Sequence, residues 1–209
     1  QRRVWQCLLH KGESLTCIVA LIQNGKVVMG GDSALTADDF SQLSMAETKV
    51  FFKGEFLIGG SGSARGGQLL RFKFTPPKRP RAMDADEYMS TLWMDELRAT
   101  FKAGGHMWFN EQGGEESSTT NALVGYRGGV WLMEGADLQI ERLRDPYVTI
   151  GSGGIVALGA LYATKDIVDM DPEKRVKLAL EAACRYNAAC RAPFTILSLE
   201  PKKRKGGTK

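Results

Sequence analysis

The stretch TCIVALIQNGKVVMGGDSALTADDFSQLSMAETK, Thr16 to Lys49, decides the fold. Residues 17–23 are apolar and rich in β-branched side chains, Asn24-Gly25 is a two-residue turn signal, and the apolar run resumes over 26–31. The segment therefore predicts a β-hairpin buried on both faces at the centre of the core. A two-residue loop pairs residues whose numbers sum to 49, setting Cys17 opposite Asp32 and Thr16 opposite Ser33. A hydroxyl and a carboxylate then meet at one end of the hairpin. Alternation points Thr16 and Asp32 to opposite faces, and a bulge or bend at Gly30-Gly31 is the expected device for bringing them to one side.

Working outward, KVFFKGEFLIGGSG predicts a second hairpin, with strands 49–53 and 56–60 about a turn at Lys53-Gly54. A helix at 63–73 is stopped by the loop TPPKRPR. Asp84 and Glu87 have capping-box spacing, and Met89, Leu92, Trp93, Leu97 and Phe101 recur at helical period, so 85–103 predicts an amphipathic helix ended by Gly104-Gly105. A polar loop over 110–119 leads to strands 121–126 and 129–134 about Arg127-Gly128, then a strand at 147–150. Helices follow Gly154 and Asp171-Pro172, the latter running to Ala189, and the chain closes with strand 194–199. Strands and helices in blocks favour an α+β fold with antiparallel or mixed sheets over alternating βαβ units.

At 209 residues the chain is one domain's length. Of the formal charge of +4, Lys202, Lys203, Arg204, Lys205 and Lys209 supply more than the whole, leaving a near-neutral body. That short terminal run reads as a solvated end rather than a nucleic-acid patch. No run approaches the roughly 18 apolar residues that span a bilayer, and VWQCLL after Arg2-Arg3 is too short for a signal-peptide core. Cys7, Cys17, Cys184 and Cys190 lack C-x-x-C spacing, and His10 and His106 are far apart, so neither a metal site nor a cofactor is expected and reduced, buried thiols are.

Four segments in order carry a resemblance. T-C-I-V-A followed by G-G-D-S and T-K-V-F, then FLIGGSGSARGG at 56–67, YVTIGSGGIVALGALY at 147–162 and APFTILSL at 192–199 are together similar to the proteasome β-subunit and HslV peptidase family of N-terminal-nucleophile (Ntn) hydrolases. The resemblance implies a four-layer αββα sandwich over 16–200, with 1–15 as a pre-sequence or N-terminal extension and 201–209 as a basic tail. It also implies a homo-oligomeric ring, for which Met89 and Trp93 offer apolar surface beyond the needs of one helix face. A peptide or unfolded-protein substrate and an ATPase or other assembly partner follow from it too, while a cytoplasmic location is the expectation from a sequence with no visible signal peptide or transmembrane segment.

In that family an N-terminal threonine attacks a peptide carbonyl while its own α-amine takes the proton; an α-amine, with an ordinary pKa of about 7.7–8.0, suits neutral pH. Carried over by residue, Thr16 matches the nucleophile, Asp32 and Lys49 the acid and base that set the electrostatics, Ser152 the serine of the Gly-Ser-Gly segment, and Gly62 the oxyanion donor. Two readings stay open. One is a latent threonine peptidase, unmasked by a cut before Thr16. The other is a catalytically silent subunit that uses the fold as an assembly block in a ring or virion-type particle. The intact Thr, Asp, Lys and Ser set favours the first. Leu15 in place of the usual glycine, Asn187 in place of an aspartate and Arg191-Ala192 in place of a glycine-rich turn favour the second.

Overall fold

The computed structural model describes residues 16–36, 42–109 and 116–201. The pre-sequence 1–15 and the basic residues 202–209 lie outside the described residues. In chain order the strands are β1 (Ile18–Gln23), β2 (Lys26–Gly31), β3 (Ala34–Thr36), β4 (Gln42–Ser44), β5 (Val50–Lys53) and β6 (Phe56–Gly62). After helices α1 (Ala64–Gln68), α2 (Ala85–Tyr88) and α3 (Met94–Ala103) come β7 (Trp108–Phe109), β8 (Glu116–Ser117), β9 (Thr120–Tyr126), β10 (Gly129–Glu134), β11 (Gln139–Arg142) and β12 (Tyr147–Ile150). Helices α4 (Gly154–Ala163) and α5 (Pro172–Tyr186) precede β13 (Thr195–Leu199).

The first sheet has the order β12-β1-β2-β13 and the second β11-β10-β9-β6-β5, antiparallel throughout. Three apolar layers separate four structural ones. Ile18, Ala20, Val27, Met29, Leu57 and Leu123 fill the space between the sheets. Cys17, Val19, Leu21 and Val28 pack the other face of the first sheet against Leu161, Val176 and Leu180 of α4 and α5. Ile58, Val124 and Tyr126 pack the second sheet's outer face against Leu70, Trp93, Leu97 and Phe101. This is the αββα sandwich, and it explains the unbroken apolar runs of β1 and β2: a strand covered on both faces has no solvent side for polar alternation.

The central hairpin has the expected register, Ile18↔Gly31 to Gln23↔Lys26, with Asn24 (φ 53°) and Gly25 (φ 76°) turning it. The expected bulge is absent: pairing runs unbroken through Gly30 and Gly31. Both glycines serve close packing instead. A Cβ on Gly30 would fall 2.9 Å from Leu180 Cδ1 of α5, and one on Gly31 would fall 2.9 Å from Ile18 Cδ1. The second hairpin turns at Gly54-Glu55, one residue later than expected, since Lys53 pairs with Phe56.

The expected helix 85–103 is continuous but holds a π-helical turn at Met89–Trp93, and a second such turn, Leu69–Lys73, extends α1. Asp84 caps α2 by accepting from Glu87 N at 2.8 Å. Met89 and Trp93 are fully buried, which corrects the expectation that they are spare apolar surface. With Leu97 and Phe101 they form a single stripe four residues apart, all of it facing the second sheet. Helix α5 ends at Tyr186, short of Ala189, because Asn187 turns to extended backbone. The ribbons β3-β4 and β7-β8, and strand β11, are additions that their short or polar sequences did not signal.

Gly62 closes β6 at φ +105°, and a Cβ there would land on the carbonyl oxygen of Thr119. Backbone cannot yield as a side-chain tip can, so Gly62→Ala is expected to lower the unfolding free energy by about 1–3 kcal/mol. The urea midpoint checks this; an unchanged midpoint would mean that β9 gives way.

His106 is buried beyond α3, with Nε2 2.8 Å from Thr120 Oγ1 and its ring edge-on to Phe101 and Trp108. Burial, with a smaller contribution from the charge of Arg65, holds its pKa below the ordinary value. A histidine whose folded pKa is depressed contributes its stability in full above its unfolded pKa of about 6.5 and loses it as pH falls through the folded pKa. Thermal midpoints should therefore decline on acidification below about pH 6.5. His106→Gln should flatten that decline, and a slope identical to the parent's would assign it to other groups.

Candidate active site

The site forms where the ladder of the central hairpin ends. Thr16 precedes β1, Asp32 follows β2, and Lys49 precedes β5 of the facing sheet. Lys49 Nζ donates to Thr16 Oγ1 at 2.9 Å and to Asp32 Oδ1 at 2.9 Å. The device that joins the two faces of the hairpin is thus the long side chain of a lysine from the second sheet, which takes the place of the expected bulge.

Asp32 has no exposed side-chain surface, and Lys49 keeps 8%. An ion pair so placed needs its remaining hydrogen-bonding capacity filled. For Asp32 it is: Oδ1 also accepts from Cys17 N at 2.9 Å, and Oδ2 from Ala34 N at 2.8 Å and Arg191 N at 3.4 Å. The Ala34 bond is the local turn that an aspartate readily makes two residues ahead. The other two come from the residue just before β1 and from the connection between α5 and β13.

Thr16 is 3% exposed. Its carbonyl oxygen accepts from Gly153 N at 3.1 Å, and a Cβ on Gly151 (φ +90°) would collide with that same oxygen. The Gly151-Ser152-Gly153 turn therefore wraps the Thr16 backbone. Ser152 is exposed within it, and the residue capping α4 is Gly153. Asn187 Nδ2 donates to Ser152 O at 2.8 Å while its Oδ1 accepts from Ala189 N at 2.9 Å. Gly62 is fixed by Thr119 and Thr120 of the β9 edge, opposite Thr120 in the ladder.

The structure thus brings Thr16, Asp32 and Lys49 into direct contact, lays the Ser152 turn against Thr16, and sets Gly62 at the end of β6. Sequence reasoning did not find the backbone of Arg191, which holds both Asp32 and Ser33; Ser33 N donates to Arg191 O at 3.0 Å. Its role is carried by main-chain atoms, which leave no residue-type signal. Cys17 points away from Thr16 into the helix-side core, as alternation requires. Among the described residues no group of His, Cys, Asp or Glu is arranged to hold a metal, and no helix is long and apolar enough to cross a membrane.

Two antiparallel sheets packed face to face between helices are the four-layer αββα fold of Ntn hydrolases. The chain is 26% identical over 180 residues to the ATP-dependent protease subunit HslV of Caldanaerobacter subterraneus subsp. tengcongensis, covering 81% of this chain and 90% of that one. Among solved structures, Thiobacillus denitrificans BPH superposes with a TM-score of 0.76 at 20% identity, over 90% of this chain and all of that one. Eukaryotic HslV from Trypanosoma brucei superposes with a TM-score of 0.62 at 20% identity, over 88% of this chain and 99% of that one. No family model matches the chain. These likenesses support a proteasome β-subunit/HslV-like family.

Proposed function

We propose that this proteasome-like subunit carries a latent threonine-peptidase site with Thr16 as nucleophile, unmasked when the Leu15–Thr16 bond is cut. The observation that carries the reading is the buried Lys49 ammonium, 2.9 Å from both Thr16 Oγ1 and Asp32 Oδ1. While Leu15 remains attached, the Thr16 nitrogen is an amide with no useful basicity. Once cut, it becomes an α-amine beside its own hydroxyl. Like-charge repulsion from Lys49 then lowers the amine's pKa and enlarges its neutral fraction. The amine takes the proton as Oγ1 bonds to the substrate carbonyl carbon. The same proton passes to the leaving amine when the peptide C–N bond breaks, and water hydrolyses the resulting ester. Asp32 holds Lys49 Nζ in place, and Gly62 N–H and Ser152 are assigned the oxyanion and supporting roles by resemblance.

BPH of Thiobacillus denitrificans has been solved in complex with epoxomicin, at 21% identity and a TM-score of 0.74. Epoxomicin is therefore the probe: a folded chain starting at Thr16 should gain its mass on the peptide containing Thr16. Absence of the adduct and of peptide turnover would defeat the reading.

A silent assembly subunit is the second reading, and Asn187 favours it. Its amide is occupied on both sides by Ser152 O and Ala189 N, a donor role that an aspartate could not fill. Both readings share a homo-oligomeric ring. Exposed Ile155, Tyr162, Ile167, Val168 and Tyr186 gather on α4, α5 and their connection, in contrast to the buried stripe of α3. Light scattering at micromolar protein should give a multiple of the 22.9 kDa protomer; a strict monomer would remove both the ring protease and the ring scaffold.

A further inference from the structure

Behind the site, on the helix side of the first sheet, lies a thiol pair that the proposed chemistry does not use. Cys17 and Cys190 meet over Gly153: a Cβ on that glycine would strike Cys190 Sγ and come within 2.9 Å of Cys17 Cβ. The two side chains pack side by side in the helix-side core, close enough for each to shift the other's titration, and neither is in a disulfide. Cys17 is fully buried, whereas Cys190 keeps 5% of its surface exposed.

The roles within the pair are unequal. The Cys17 S–H holds its proton and donates, which, with burial, pushes its own pKa up. Cys190 is on the accepting side of that contact and feels the Lys49 charge, so its pKa is drawn down despite burial and the Asp32 charge. Nearby Cys184 is pushed up to about 12 by burial and adjacent negative charge. A stabilised thiolate beside a second thiol is the arrangement that lets a sulfenic acid resolve to a disulfide.

We propose that Cys17 and Cys190 form a peroxide-responsive dithiol, in which Cys190 is oxidised first and Cys17 resolves it, tying the start of β1 to the α5–β13 connection. The Cys190 thiolate attacks one oxygen of hydrogen peroxide, the O–O bond breaks, and hydroxide leaves. That hydroxide takes the Cys17 proton. The Cys17 sulfur then displaces the sulfenic hydroxyl, which leaves as hydroxide and takes up the proton that Cys190 released on forming its thiolate, and an S–S bond forms. Two thiols lose two electrons and two protons, and one peroxide becomes two waters. The bond would join the two backbone clamps of Asp32, since Cys17 N–H holds Oδ1 and Arg191 N–H, next to Cys190, holds Oδ2. It would also close a loop spanning most of the chain, which restricts the unfolded state.

The test uses the full chain, exposed to micromolar hydrogen peroxide, quenched with catalase, alkylated in denaturant and mapped without reduction. The expected result is a Cys17–Cys190 linked peptide, loss of two alkylatable thiols and a thermal midpoint several degrees higher, all reversed by dithiothreitol. Cys184→Ser should keep the link and Cys190→Ser should abolish it. Cys190 oxidised to sulfinic acid with no link, a link to Cys184, or both thiols still alkylatable would each overturn the proposal. The mapping of the unaltered protein decides the matter even where a variant fails to fold. None of these readouts depends on peptidase activity, so the dithiol and the latent peptidase stand or fall separately.

Discussion

A chain whose first residue is Thr16 hydrolyses small peptide substrates, while the chain carrying residues 1–15 does not: this is the expected result with the largest effect. Removing a general base or a nucleophile typically lowers rate by about 100- to 10,000-fold, so Thr16→Ala and Lys49→Ala in the cut chain should each fall at least about 100-fold. Thr16→Ala removes the attacking oxygen. Lys49→Ala removes the ammonium that contacts it and leaves the α-amine more basic, hence more protonated at neutral pH. Residual turnover in Lys49→Ala should accordingly shift its pH optimum upward. Full activity in Thr16→Ala would place the chemistry elsewhere. An inert but folded and assembled Thr16-start chain would make Asn187 the first suspect, and Asn187→Asp the variant to examine next.

Asp32 should dominate stability as Thr16 dominates turnover. Asp32→Ala strands the Lys49 charge in a buried site and leaves Cys17, Ala34 and Arg191 N–H groups without their acceptor. Breaking a buried pair in this way costs about 3–5 kcal/mol. Lys49→Met should cost less, because Asp32 keeps its three backbone donors. Glu47→Ala, which breaks an ion pair between Arg71 and a largely exposed carboxylate, should cost less than about 1 kcal/mol. Urea denaturation at neutral pH ranks the three. An Asp32→Ala loss no larger than that of Glu47→Ala would show that the site relaxes or admits water.

What the sequence determined by itself was everything specified by neighbours along the chain. Asn24-Gly25 adopts the positive φ angles that its turn needs, and that turn sets the register of β1 and β2 to the last residue. The unbroken apolar runs of those strands required cover on both faces, and therefore a layered fold. Asp84, Gly104 and Asp171-Pro172 mark helix ends through capping chemistry within a few residues. The motif residues Thr16, Asp32 and Lys49 were legible as types in order.

How those residues meet was decided only by tertiary structure. The hairpin alone calls for a bulge to unite Thr16 and Asp32; the packed sheets supply Lys49 from across the core instead, and Gly30 and Gly31 serve to let α5 and Ile18 approach. Met89 and Trp93 look surplus on an isolated helix and become core once the second sheet lies under them. Arg191 acts through its main chain, and Cys190 meets Cys17 from the other end of the sequence. Turn and cap preferences act over a few bonds, whereas these contacts join segments far apart in the chain and exist only after all four layers have closed.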